Sequence, residues 1–131
     1  MIKFYYHFSN NYWVFILKII YKNKSVEKQF NSAYQEKWKY DKNIKIKLIA
    51  IENFLLQASS LLDVQNYPPF HFHRLKGKRN SEWSLYVGNT GYRIVVIPCD
   101  DNEYELVDGD ILAQCKYIKI IKITEVSNHY E

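Results

Sequence analysis

The chain reads as an α+β domain: a small antiparallel or mixed β-sheet packed against two N-terminal helices. Three observations predict this. Helical apolar spacing fills residues 25–62, and short strand-like runs follow Pro68-Pro69. Those runs are separated by turn residues, so neighbouring strands pair antiparallel. At 131 residues, almost half of them apolar, the chain is long enough for one domain with a real core.

Residues 1–13 are aromatic and polar and form an N-terminal extension, either an added strand or an arm; residues 14–131 form the single domain. Val14 to Tyr21 is β-branched and apolar, the mark of a strand. Within this region Trp13-Val14-Phe15-Ile16-Leu17 is too short for a membrane span and lacks a small-residue cleavage site, so it reads as buried strand. Ser25 is placed to cap a helix that runs through Phe30 and Ala33 to about Lys37, with Glu27 in its first turn. A second helix starts near Asp41. Its apolar stripe is Leu48, Ile51, Leu55, Ala58 and Leu62, recurring at steps of three and four. Pro68-Pro69 excludes helix and sets an extended entry.

Strands are then expected at about 70–75, 83–87 and 92–97, the last stopped by Pro98. Gly77 to Ser81 forms the first turn and Gly88-Asn89-Thr90-Gly91 the second. Trp83, Leu85 and Val87 share one face, Ser84 and Tyr86 the other. Residues 100–110 read as a loop, with Tyr104–Val107 extended within it. A last strand covers about 117–125. Its parity slips between Ile120 and Ile121, which means burial on both faces or a bulge.

Charge is uneven although the net is only +4. Residues 1–60 hold ten Lys against four acids. Residues 71–93 hold Arg74, Lys76, Lys78, Arg79 and Arg93 against Glu82, together with His71 and His73. Residues 100–110 hold six acids and no base. Such asymmetry fits one side facing a polyanion and an acidic loop turned elsewhere. An ordinary solvated surface explains the helix lysines equally well. Imidazoles among permanent cations point to an anionic substrate, and a phosphodiester is the natural one. Cys99 and Cys115 have no metal-ligand spacing and read as free thiols in a reducing cytosol.

Five segments, taken in order, carry a family likeness: Pro68-Pro69; His73-Arg74-Leu75-Lys76-Gly77-Lys78-Arg79; Trp83-Ser84-Leu85; Tyr92-Arg93-Ile94-Val95; and Ile123 through Tyr130. Together they resemble the HigB-type toxins of the RelE/ParE toxin-antitoxin superfamily. The likeness covers about residues 14–131. It implies a RelE/ParE-like sheet wrapped by two helices. It implies a cytoplasmic, ribosome-dependent endoribonuclease that cuts mRNA without a cofactor. It implies a cognate antitoxin, a HigA-like helix-turn-helix protein, as partner, with ribosome and mRNA as targets and no membrane. Two departures stand out. The family's C-terminal Asp-Tyr-His is here Asn128-His129-Tyr130, and residues 1–13 precede the usual start.

RNA cleavage of this kind needs a base for the 2′-hydroxyl proton, cations for the charge that builds on phosphorus and an acid for the leaving oxygen. No metal is required, and no carboxylate cluster suggests one. The resemblance assigns His73 as base or acid and Lys76 as a stabiliser of the phosphate. Arg93, inside a strand, is the candidate phosphate clamp; an internal ion pair with an acid such as Glu125 is its alternative. Arg74, Lys78 and Arg79 would guide the RNA backbone, or be plain turn charges. His129 and Tyr130 offer a second proton-transfer group or a stacking surface. His71 has no counterpart in the family and reads as surface. Two other readings stand beside the nuclease. One is a ParE-like gyrase-inhibiting toxin; the other is a catalytically weak member that retains only antitoxin binding.

Overall fold

The computed structural model describes residues 5–9, 12–31, 40–79 and 81–128. β1 (Tyr5–Ser9) and β2 (Tyr12–Ile16) form an antiparallel two-stranded sheet, with Tyr5 opposite Ile16 and Ser9 opposite Tyr12. The expected extension therefore contains most of a hairpin whose second strand crosses the boundary at residue 13. The single strand expected over 14–21 is two strands, broken at Leu17. That residue is fully buried, and its N–H donates to the Ala58 carbonyl (2.7 Å) rather than to a neighbouring strand.

The main sheet is mixed and five-stranded. It contains β3 (Lys18–Tyr21), β4 (His73–Arg74), β5 (Trp83–Tyr86), β6 (Tyr92–Cys99) and β7 (Ile120–Asn128), in the order β3-β7-β6-β5-β4. β3 lies parallel to β7; the other pairs are antiparallel. Gly88 and Gly91, both at positive φ, close the β5–β6 hairpin as their spacing predicted. Thr90 locks the turn by donating its hydroxyl to the Val87 carbonyl (2.6 Å).

Among the described residues four helices, rather than the expected two, accompany the sheet: α1 (Lys24–Lys28), α2 (Lys42–Gln57), α3 (Leu61–Gln65) and α4 (Ile111–Gln114). Asn23, not Ser25, caps α1: its side chain accepts from the Val26 N–H (2.9 Å). The helix ends at Lys28, short of Phe30 through which it was expected to run, and the expected continuation through 32–37 falls outside the described residues. Asp41 caps α2 as expected, accepting from Ile44 N–H (3.0 Å). Its stripe of Ile44, Leu48, Ile51 and Leu55 is buried. The stripe extends to Leu62 only by changing helix. Ala58 is extended, and Ser60 restarts the chain by capping α3. Each of these buried aliphatic side chains contributes about 1.5–3 kcal/mol.

The core lies between these helices and one face of the sheet. Trp83, Leu85, Ile94, Val96, Ile121 and Ile123 meet Leu48, Leu55, Leu61, Val64 and Ile111 there. The other face, here the outer face, alternates with it as the β5 pattern predicted.

Three local readings change. Pro68–Phe70 is a 3-10 turn, not extended chain; a proline opens such a turn at no cost because the first N–H groups have no partner. β6 continues through Pro98. The Pro98 carbonyl accepts from Leu106 N–H (2.9 Å), so the side that lacks an N–H faces the returning loop rather than β7. The acidic stretch folds more than a loop would: Asp110 caps α4 (3.1 Å to Ala113 N–H), and Cys115–Tyr117 is a 3-10 turn that delays the last strand to Ile120. The parity slip there reflects burial on both faces; the strand's bulge lies further on, at Thr124. Ile120 and Ile121 are both fully buried, and a bulge places Thr124 between Glu125, opposite Val95, and Ile123, opposite Val96.

Candidate functional site

Strand register orders the outer face into rows across the sheet. One row is His73, Ser84, Val95 and Glu125; the next is Tyr86, Arg93 and Ser127. At the opposite end of this face the 100–107 loop closes in. Glu103 pairs with the buried Lys18 (3.0 Å) and Glu105 with Lys122 (2.9 Å). The acidic loop is thus partly consumed by neutralising sheet lysines.

The middle of the face is sealed by an ion-pair network. The turn Gly77–Arg79 follows the two-residue β4, and the Arg79 guanidinium grips Glu82 through Nε (2.9 Å) and Nη2 (3.3 Å). The same Nη2 donates to Glu125 on β7. The bulge turns the Thr124 hydroxyl to within 3.2 Å of both Glu82 and the Val95 carbonyl. Hydrogen bonds from Arg79 hold the Glu82 carboxyl below its ordinary range, and both carboxylates raise the guanidinium further. Of the two expectations for Arg79, the geometry favours the turn charge: its guanidinium holds the turn to the sheet while staying partly exposed. The alternative in which Glu125 neutralises Arg93 is not realised, since Glu125 belongs to Arg79.

What remains open is the end bearing His71, His73, Tyr86, Arg93 and Ser127. Arg93 Nε donates to the Ser127 hydroxyl (3.1 Å), and among the described residues it pairs with no carboxylate. His73 Nδ1 lies 2.7 Å from the His71 carbonyl oxygen. A carbonyl only accepts, so Nδ1 is the donor; in the neutral ring Nε2 then carries the lone pair that a base needs. His71 makes this contact from a left-handed backbone conformation (φ 45°), unusual for a residue other than glycine. Its ring lies against Tyr86 at 4.9 Å and against His73 at 5.2 Å. Tyr86 meets His73 edge-on at 5.9 Å and is the cross-strand partner of Arg93. Tyr86 and His71 are the members that sequence reasoning missed. The signal for Tyr86 was its parity with Ser84 one strand from Arg93.

The other expected site residues divide. Lys76 is exposed and leaves the sheet one residue after Leu75, whose N–H bonds Glu82. By strand spacing its backbone stands roughly 15 Å along the sheet from the Tyr86–Arg93 pair. His73 and Arg93 thus share one end of the face, with the Lys76 backbone further along it. Arg74 points to the opposite face. It lies over the Trp83 ring (5.0 Å), donates to the Gly109 carbonyl (3.4 Å) and lines a cleft of about 420 Å³ with Phe72, His73 and Leu112. His129 and Tyr130, and the side chain of Lys78, lie outside the described residues. Trp83 is core, as expected.

Cys99 and Cys115 are free and buried, and burial pushes both thiols up to about 11, so neither is a nucleophile near neutral pH. Among the described residues no three His, Cys, Asp or Glu side chains gather as a metal site, and no helix is long and apolar enough to cross a membrane.

Fold and face together define an α+β domain that presents an imidazole and a guanidinium, one tyrosine apart, at one end of its sheet. Comparison of the chain with family models, with curated proteins and with solved structures gives no significant match.

Proposed function

We propose that this chain is a RelE/ParE-like toxin of the HigB type: a cytoplasmic, metal-independent endoribonuclease that cuts mRNA on the ribosome and is held in check by an antitoxin, a HigA-like helix-turn-helix protein. One observation carries the reading. His73, whose Nδ1 is engaged by the His71 carbonyl, and Arg93, without a described carboxylate, stand on the same sheet face with Tyr86 between them.

The chemistry follows from those groups. His73 Nε2 removes the 2′-hydroxyl proton, the 2′-oxygen bonds to the adjacent phosphorus, and the bond from phosphorus to the 5′-oxygen breaks. The departing 5′-oxygen takes its proton from an acid on the same face, for which Tyr86 is the described group in position. The products are a 2′,3′-cyclic phosphate and a 5′-hydroxyl. Arg93 holds the non-bridging oxygens as charge builds on them, the step at which preorganised donors act most strongly. Lys76, exposed just beyond β4, supplies a further cation for the phosphate or for the RNA backbone beside it.

The test is a translating extract given the purified protein, with the 5′ ends of a reporter mRNA mapped. Cleavage that depends on ribosomes and disappears in His73→Ala and Arg93→Ala supports the assignment. Intact message at excess protein rejects it.

A further inference from the structure

We infer that the cleft beside this face is a nucleobase subsite, which receives the base of a nucleotide flanking the cut; the inference rests on the RNA reading above. The cleft holds about 200 Å³ and lies between α2, the turn at Pro68–Phe70 and the end of β5. Its lining includes Lys47, Phe54, Tyr67, Phe70, Tyr86 and Gly88.

Four features select a base over other occupants. The first is ring surface. Phe54, Tyr67 and Phe70 form a mutual cluster with centroids 4.7–4.9 Å apart, and Tyr67 remains 42% exposed. Exposed aromatic faces stack on planar bases whatever their sequence. The second is size: the volume falls below the roughly 300 Å³ at which pockets for drug-sized ligands begin, so one ring system fits and a peptide segment does not. The third is charge. Lys47 lies on the wall, its amine 3.3 Å from where a Cβ on Gly88 would stand, so the lack of a side chain at 88 is what lets the cation sit there. A cation beside an aromatic slot complements a nucleotide, which carries an anion next to a ring. The fourth is continuity: Tyr86 forms one wall of the cleft and also touches His71 and His73. A phosphate between His73 and Arg93 thus has a neighbouring base within reach of the slot.

The experiment uses the full chain and a short fluorescent single-stranded RNA, 2′-O-methylated so that it cannot be cut, read by anisotropy. A second series carries one abasic residue, moved along the strand. Wild-type protein is expected to lose roughly tenfold or more in affinity at one abasic position and little at the others. Tyr67→Ala, at a partly exposed site that tolerates truncation, loses a similar factor on intact RNA and no longer distinguishes the abasic strand. Lys47→Gln keeps the distinction but lowers the salt dependence by roughly 0.7 in log–log slope, one phosphate contact. The subsite is overturned if wild type binds RNA with equal loss at every abasic position, or if Tyr67→Ala keeps the wild-type ratio. Absence of RNA binding by the wild type overturns the RNA reading itself, a distinct result.

Discussion

Two arginines on one sheet face, fourteen positions apart in sequence, have opposite fates. Arg79 is engaged by Glu82 and Glu125 and closes the middle of the face. Arg93 meets a serine hydroxyl and, among the described residues, no carboxylate. A strand guanidinium is costly to place and needs a partner. Where the partner is internal, the arginine is structure; where the chain supplies only a hydroxyl, the remaining donors are available to a ligand. From sequence both were candidate phosphate contacts, Arg93 as a clamp and Arg79 as a backbone guide or turn charge. The pairing of carboxylates, not the presence of cations, separates scaffold from site.

The largest expected effects fall on the open end. His73→Ala removes a proton-transfer group and should lower RNA cleavage by about 10²–10⁴. Arg93→Ala should lower it by about 10²–10³, the scale of one lost transition-state donor. Melting temperature should move little in either variant, because neither side chain belongs to the core. Single-turnover cleavage alongside thermal melting checks both. Cleavage at the wild-type rate in Arg93→Ala would erase the contrast between the two arginines.

Lys76→Ala should act more weakly. Its distance from the Tyr86–Arg93 pair makes it a remote phosphate contact, so cleavage should fall less than about tenfold while the log–log salt slope of RNA binding drops by roughly 0.7. A loss as large as that of Arg93→Ala would mean that substrate brings Lys76 to the reacting phosphate after all.

Much of this architecture was legible in the residues. The alternation in β5, the Asp41 cap, the α2 stripe and the Gly88–Gly91 hairpin depend on neighbours within one or two turns of chain, and local patterns report them. The errors share a cause. The break at Leu17 is set by Ala58, the passage of β6 through Pro98 by Leu106, and the engagement of Arg79 with the sheet by Glu125. Ala58 and Glu125 lie far off in sequence, outside any local window; Leu106 is only eight positions from Pro98 but meets it across a loop whose course local propensity does not set. The candidate site divides the same way. His73 and Arg93 were found by type and motif, whereas Tyr86 and the His71 carbonyl matter through cross-strand register and a left-handed turn.

On the sealed side, Arg79→Ala should leave activity largely intact and reduce stability. Arg79 and Glu125 keep 41% and 40% of their side-chain surface in solvent, so water screens the pair. The expected loss is about 1 kcal/mol, well short of the cost of breaking a buried ion pair. Denaturant unfolding measures it, and a loss of activity larger than that of stability would join the two ends of the face into one site.

The smallest effect concerns acid. In the folded chain Glu82 is held below its ordinary 4.5, chiefly by hydrogen bonds from Arg79. A depressed carboxyl contributes stability that is present above the unfolded value and lost as pH falls through the folded one. Glu52 runs the other way. Burial raises it above 4.5 despite its hydrogen bond from Tyr21, so the folded state takes up its proton first and gains stability as pH falls. The two oppose each other across the same acid range. Glu82→Gln should therefore flatten the acid loss of melting temperature below about pH 4.5, by an amount near 0.5–1 kcal/mol, and Glu52→Gln should steepen it. Identical acid slopes in wild type and Glu82→Gln would show that the Arg79 network adds no pH-dependent stability, leaving its role in holding the 77–82 turn over the sheet to packing alone.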